Sequence, residues 1–173
     1  MILMNTTWLL VGFAGGVVIL LGSLFVLKEV VKTEKPDLPA AVEKVKKPIE
    51  KKAYFLIFTN GTRRIFDDPK YHNQSEEIYL EAQAPNKLIV KKEGAKWKDL
   101  FATLPMELSK DCLMTGTGQR FCTGETGFLA FYVNGEKIDD MLEREINDGD
   151  KLLVSFGSQN EEEIKNQQSQ LEE

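Results

Sequence analysis

The chain has 173 residues, 42% of them hydrophobic and 28% charged, with one histidine, two cysteines and a formal net charge of -5 at pH 7. That length suits a single domain, and an acidic chain without a concentrated basic face excludes nucleic acid as the main partner. One histidine and two cysteines are too few for a four-ligand zinc site, so the sequence implies no metal and no cofactor.

Charge is unevenly spread. Residues 1–27 hold no ionisable side chain, whereas 28–52 hold eight lysines, four glutamates and one aspartate. Residues 8–27 form an apolar run of 20, which as a helix spans roughly 30 Å, the thickness of a hydrocarbon core. Trp8 marks one interface and Lys28 the other, and the glycines within the run suit a membrane helix. Residues 1–28 therefore read as an N-terminal transmembrane helix whose partner is the lipid bilayer. No lysine or arginine precedes the run, and it exceeds the apolar core of a cleaved signal, so a retained anchor is expected. Gly12 and Gly16 have the spacing of close helix pairs, but glycine is frequent in spans for other reasons.

Residues 29–52 read as a tether: Pro36, Pro39 and Pro48 stop any continuous helix, and glutamates offset the lysines. The folded domain is expected over 53–157. Tyr54–Phe58 is an apolar, β-prone run, Asn60-Gly61 is a strong hairpin signal, and 62–66 returns as the partner strand. Asp67-Asp68-Pro69 breaks the chain before a polar loop holding His72. Ile78–Glu81 and Leu88–Val90 follow as strands. Trp97, Leu100, Phe101 and Leu104 fall at i, i+3, i+4 and i+7, one apolar face of a helix that Pro105 ends.

Cys112 and Cys122 bracket nine residues in which Gly116 and Gly118 permit a tight turn. A hairpin with facing sulfurs and a disulfide is expected outside the cytoplasm, and two reduced, packed thiols inside it. All six residues of Phe128–Val133 are apolar or aromatic, which predicts a central strand buried on both faces. Asn134-Gly135 turns it, and Ile138, Met141, Leu142 and Ile146 suit a brief helix against the sheet. Asp148-Gly149-Asp150 turns again, and 151–156 closes the fold. The acidic tail, 158–173, has only Ile164 and Leu171 on one side and is expected to be frayed.

One main helix among several strands predicts an α+β domain with a mixed sheet. The sequence carries neither a glycine-rich phosphate loop nor a nucleophile elbow, the lone histidine lies forty residues before the first cysteine, and the acidic cluster at 139–150 lacks EF-hand spacing. A non-enzymatic domain without catalytic residues is expected. Asn60, His72, Asp148 and Asp150 are the candidate binding residues, toward an unknown protein or small-molecule ligand. Orientation is contested. Lys28, Lys32 and Lys35 follow the span, which places the domain in the cytoplasm, whereas the cysteine pair and the sequons at Asn5, Asn60 and Asn73 place it outside.

The helix at 97–104, the Asp148-Gly149-Asp150 turn and the final apolar strand resemble the closing half of β-grasp, ubiquitin-like proteins. Sulfur carriers of that fold end in a free Gly-Gly, whereas this chain continues for sixteen residues past Gly157, which argues against sulfur transfer. Asp67–Tyr71, Ile78–Glu81, Gly94–Phe101, the cysteine pair, Phe131–Gly135, Asp148–Gly157 and Glu161–Gln167 resemble an uncharacterised family of single-span, membrane-anchored exported proteins of archaea and candidate-phylum bacteria. The resemblance implies an extracytoplasmic domain. Histidines common in that family near the strands matching 78–90 are represented here by His72 alone. The expected function is binding or surface interaction; the competing expectations are thiol-redox or metal handling through Cys112, Cys122 and His72, and a cytoplasm-facing adaptor.

Overall fold

The computed structural model describes residues 48–171. The expected membrane helix and most of the tether lie outside the described residues, among which no helix is long and apolar enough to cross a membrane. The order is β1 (Lys51–Thr59), β2 (Thr62–Arg63), β3 (Ile78–Glu81), β4 (Ala84–Val90), α1 (Trp97–Thr103), β5 (Glu107–Leu108), β6 (Cys112–Met114), β7 (Arg120–Cys122), β8 (Phe128–Val133), β9 (Glu136–Lys137), β10 (Lys151–Gly157) and α2 (Glu161–Ser169). Lys51 and Lys52, which the sequence assigns to the tether, already pair with Val90 and Ile89 as the first residues of β1.

A seven-stranded mixed sheet runs β3-β4-β1-β10-β8-β9, with β2 beside β1; β5, β6 and β7 form a second, three-stranded sheet. β1 and β10 lie parallel at the centre, in register from Tyr54 opposite Lys151 to Thr59 opposite Phe156. The other strand pairs of the large sheet are antiparallel. The central positions go to the two strands with unbroken buried runs, Phe55–Thr59 and Leu152–Gly157, as burial on both faces requires. β8 departs from expectation here. Its Leu129, Phe131 and Val133 are buried on one face, while on the other Phe128 is 65% exposed and Ala130 and Tyr132 are half-buried, so the second face is only partly covered.

Two apolar clusters hold the layers. On one face Phe55 and Ile57 of β1 and Leu152, Val154 and Phe156 of β10 pack with Trp97, Leu100 and Phe101 of α1, joined by Met141 and Ile146. Each such side chain contributes roughly 1.5–3 kcal/mol by full burial. Met141 opens a short 3₁₀ turn, Met141–Glu143, in the place of the expected brief helix. On the opposite face Leu56, Phe58 and Leu153 meet Ile164 and Leu171, with Tyr54 and Tyr132 alongside.

That second cluster corrects the expectation of a frayed tail. Asn160 caps α2 by accepting from the Glu163 amide at 3.0 Å, and the Glu163 carboxylate accepts from the Asn160 amide at 2.8 Å. This reciprocal box satisfies two otherwise orphaned donors, and Glu161, Glu162 and Glu163 sit at the positive end of the helix dipole. Ile164 of α2 and Leu171, two residues past its end, then reach the sheet. A thin apolar face is enough because the sheet offers an apolar surface to receive it.

Candidate functional site

The residues singled out by sequence fall at separate places. Cys112 and Cys122 are opposite partners on β6 and β7, Cα atoms 4.1 Å apart, and form the disulfide pair expected of that hairpin. Both sit in the small sheet, which closes on the core through Leu113 and Phe121. Arg64 covers this edge, its guanidinium 4.9 Å from the centre of the Phe121 ring and its Nε donating to the Thr59 hydroxyl at 2.6 Å.

His72 belongs to a different sheet. It is half-buried, bridges Leu80 of β3, and its Nε2 lies 2.7 Å from the Phe66 carbonyl oxygen. A carbonyl only accepts, so that nitrogen carries the proton and Nδ1 alone is left to ligate. Among the described residues no group of three or more His, Cys, Asp or Glu side chains is arranged to hold a metal ion.

Asp148 and Asp150 flank Gly149, whose φ of 81° makes the turn. Asp148 accepts from the Lys52 amide at 2.7 Å, tying the turn to the start of β1. Asp150 is 4% exposed. Its Oδ1 accepts from Asn134 Nδ2 at 2.9 Å, and its Oδ2 from the Asn147 amide at 2.9 Å. The neighbouring acids are also engaged: Lys98 and Lys96 hold the Glu143 carboxyl below its ordinary range, and Lys51 does the same to Glu145. These acids fasten the 141–146 segment to α1 and β1.

Asn60 is the exception, since it opens onto a recess. Asn60 and Gly61, at φ 51° and 75°, form the left-handed two-residue turn expected between β1 and β2. The hairpin is shorter than predicted: Thr59 pairs Thr62 and Phe58 pairs Arg63, and the strand ends there. The Asn60 amide donates to Phe156 of β10 at 2.7 Å, so the turn sits at the carboxyl ends of the two central parallel strands. The chain leaving β10 passes through Ser158 and Gln159 into α2. Between the turn and α2 lies a cleft of about 460 Å³.

The cleft walls are mostly carboxamide. Asn60, Gln159, Asn166, Gln167 and Gln170 line it with Ser158 and Glu163, and Phe58 lies at its floor, 3% exposed. Gln167 is 5% exposed, and its buried Oε1 has no hydrogen-bond donor. A second recess of about 500 Å³ lies on the other flank of α2, lined by Tyr132, Asn134, Lys151, Lys165 and Gln168 among others. Burial, with Glu161 adding to it, holds the Tyr132 hydroxyl above its ordinary pKa. Gln168 spans to the Gly135 carbonyl at 3.3 Å and keeps α2 against the β8–β9 turn.

The carboxamides of the tail were not among the residues singled out from sequence. The signal for them was present: Asn160 and Glu163 have capping-box spacing, and Ile164 with Leu171 set the inner side of a helix. Compared with known proteins, the chain matches no family model, no curated protein and no solved structure.

Proposed function

We propose that the chain is a single-pass membrane protein, anchored through residues 8–27, whose extracytoplasmic β-grasp-like domain binds a ligand rather than transforming it. The strand order β4-β1-β10-β8-β9, with a parallel central pair, antiparallel flanks and α1 across one face, supports the β-grasp reading. The observation that carries the binding reading is the carboxamide-lined cleft of about 460 Å³ between the Asn60-Gly61 turn and α2. Amide side chains offer donors and acceptors, and the one carboxylate in the lining, Glu163, accepts from the Asn160 amide as part of the α2 cap, so such a lining suits recognition. His72 and the cysteine pair, the residues a redox or metal function would use, belong to different sheets.

The test is a screen of neutral small-molecule fragments against the full chain in detergent micelles, read by amide NMR shifts. Hits are expected to cluster at residues 58–61 and 159–170. Shifts gathered instead around Cys112, Cys122 and His72, together with ready reduction of the disulfide by mild thiols, would transfer the function to the thiol-redox reading.

A further inference from the structure

We infer that Asn60 is a site of self-modification, whose carboxamide is attacked by the Gly61 amide nitrogen and ends as a carboxylate at the mouth of the cleft. The chemistry does not depend on what the cleft binds. An Asn-Gly pair carries it because glycine has no side chain to hinder the approach of its nitrogen to the asparagine Cγ. The Gly61 nitrogen loses its proton and bonds to Cγ, while Asn60 Nδ2 gains a proton and leaves as ammonia, closing a five-membered imide. Water then opens the ring at either carbonyl. One opening gives aspartate, and the other gives isoaspartate, in which the main chain runs through the side-chain carbon. Water is the only co-reactant.

The chain holds three Asx-Gly pairs, and the fold treats them differently. Asn134-Gly135 has nearly the same turn geometry as Asn60-Gly61, with φ of 53° and 87° against 51° and 75°. Its carboxamide is fixed at both ends. Nδ2 donates to the buried Asp150 carboxylate at 2.9 Å, and Oδ1 accepts from the Lys151 amide at 2.9 Å. Swinging Cγ toward the next nitrogen breaks both bonds. At Asp148-Gly149 the attacking group is engaged, since the Gly149 amide donates to the Lys52 carbonyl at 2.7 Å and Asp148 accepts from the Lys52 amide. Asn60 has neither restraint. It is exposed, and among the described residues its carboxamide has no hydrogen-bond partner. Attack requires Asn60 to leave its left-handed conformation, and the hairpin holding it there is small, because β2 pairs with β1 through Thr62 and Arg63 alone. Opening so short an element is a local event.

Conversion changes the cleft. Glu163 is the one carboxylate in its lining, and the product adds a second. Isoaspartate also inserts a carbon into the turn, whose Asn60 amide donates to Phe156 at 2.7 Å. The recess thus becomes more acidic, and its turn looser, with the age of the molecule.

The experiment incubates the full chain in detergent micelles in water enriched in heavy oxygen, at neutral and mildly alkaline pH, and maps its peptides by mass spectrometry. Heavy oxygen marks only the product formed during incubation, and a parallel sample in concentrated urea gives the rates of the unfolded chain. Asn60 is expected to convert in the folded chain to a mixture of aspartate and isoaspartate, faster at the higher pH. Asn134 is expected to lag roughly fiftyfold, the factor for two hydrogen bonds of which one is to a carboxylate, and to come within a few-fold of Asn60 in urea. Asn60→Gln, which needs a six-membered ring, abolishes the label in its peptide. Asp150→Asn, which weakens the hold on Asn134, speeds Asn134 alone. Folded protein in which Asn134 keeps pace with Asn60 overturns the inference. So does an Asn60 that stays unlabelled in the folded chain while both pairs convert in urea.

Discussion

Asp150 occupies a turn that sequence marks as acidic and therefore open to solvent, yet it is 4% exposed and its two oxygens face donors from Asn134 and Asn147. A buried carboxylate persists where hydrogen bonds to it replace water, and such charge-assisted bonds are stronger than neutral ones. Asn134 returns the tie, its Oδ1 accepting from the Lys151 amide at 2.9 Å, so the β8 turn and the start of β10 are locked together. Asp150→Ala is expected to cost about 3 kcal/mol, the loss of two charge-assisted bonds with their donors left behind. Urea denaturation with an unchanged slope and a lowered midpoint is the measurement, and an unchanged midpoint would refute the brace. The glycine turn was legible because Gly149 supplies a left-handed conformation locally. The burial of Asp150 was not, since its partner Asn134 lies sixteen residues earlier and only the sheet brings them together.

Among the elements, those with a strong local signal were readable and those defined by what they pack against were not. α1 follows its apolar spacing, and both Asn-Gly turns fall where predicted, at Asn60 and Asn134. β8 was misread as doubly buried because six apolar residues look alike in sequence; the exposed side of Phe128 reflects a sheet face that α2 does not cover there. α2 itself was undervalued because its inner side is thin, and its worth depends on Leu56, Phe58 and Leu153 beneath it. The link into α2 depends on Gly157, at φ 147°, where an added Cβ would run into the Gln159 side chain. Gly157→Val is therefore expected to strain the link by roughly 1–3 kcal/mol and loosen α2 from the sheet. Hydrogen exchange should then accelerate over 161–171 while β1 and β10 stay protected. Retained protection of α2 would show that the link tolerates a side chain.

For the whole molecule, on the proposal that residues 8–27 anchor the chain in a membrane, the side that the domain faces turns on which lysines count. The positive-inside rule weighs basic residues near a span, and here Lys28, Lys32 and Lys35 favour the cytoplasm. The domain adds little to that count. Where the chain enters it, Lys51 pairs with Glu145 at 2.9 Å, and Lys96 and Lys98 both pair with Glu143 at 2.9 and 2.8 Å. Against Lys28, Lys32 and Lys35 stands a cysteine pair in register on adjacent strands, a bond that persists in oxidising compartments and not in reducing ones. A ten-residue separation between the cysteines gives a staple worth a few kcal/mol in the chain-entropy model, a contribution the small sheet would lose in the cytoplasm. We therefore predict that protease added to intact cells removes the folded domain, and that Cys112 and Cys122 take up maleimide only after reduction. Protection from external protease, with both thiols labelled without reductant once cells are opened, would place the domain inside and make Cys112 and Cys122 packed apolar groups.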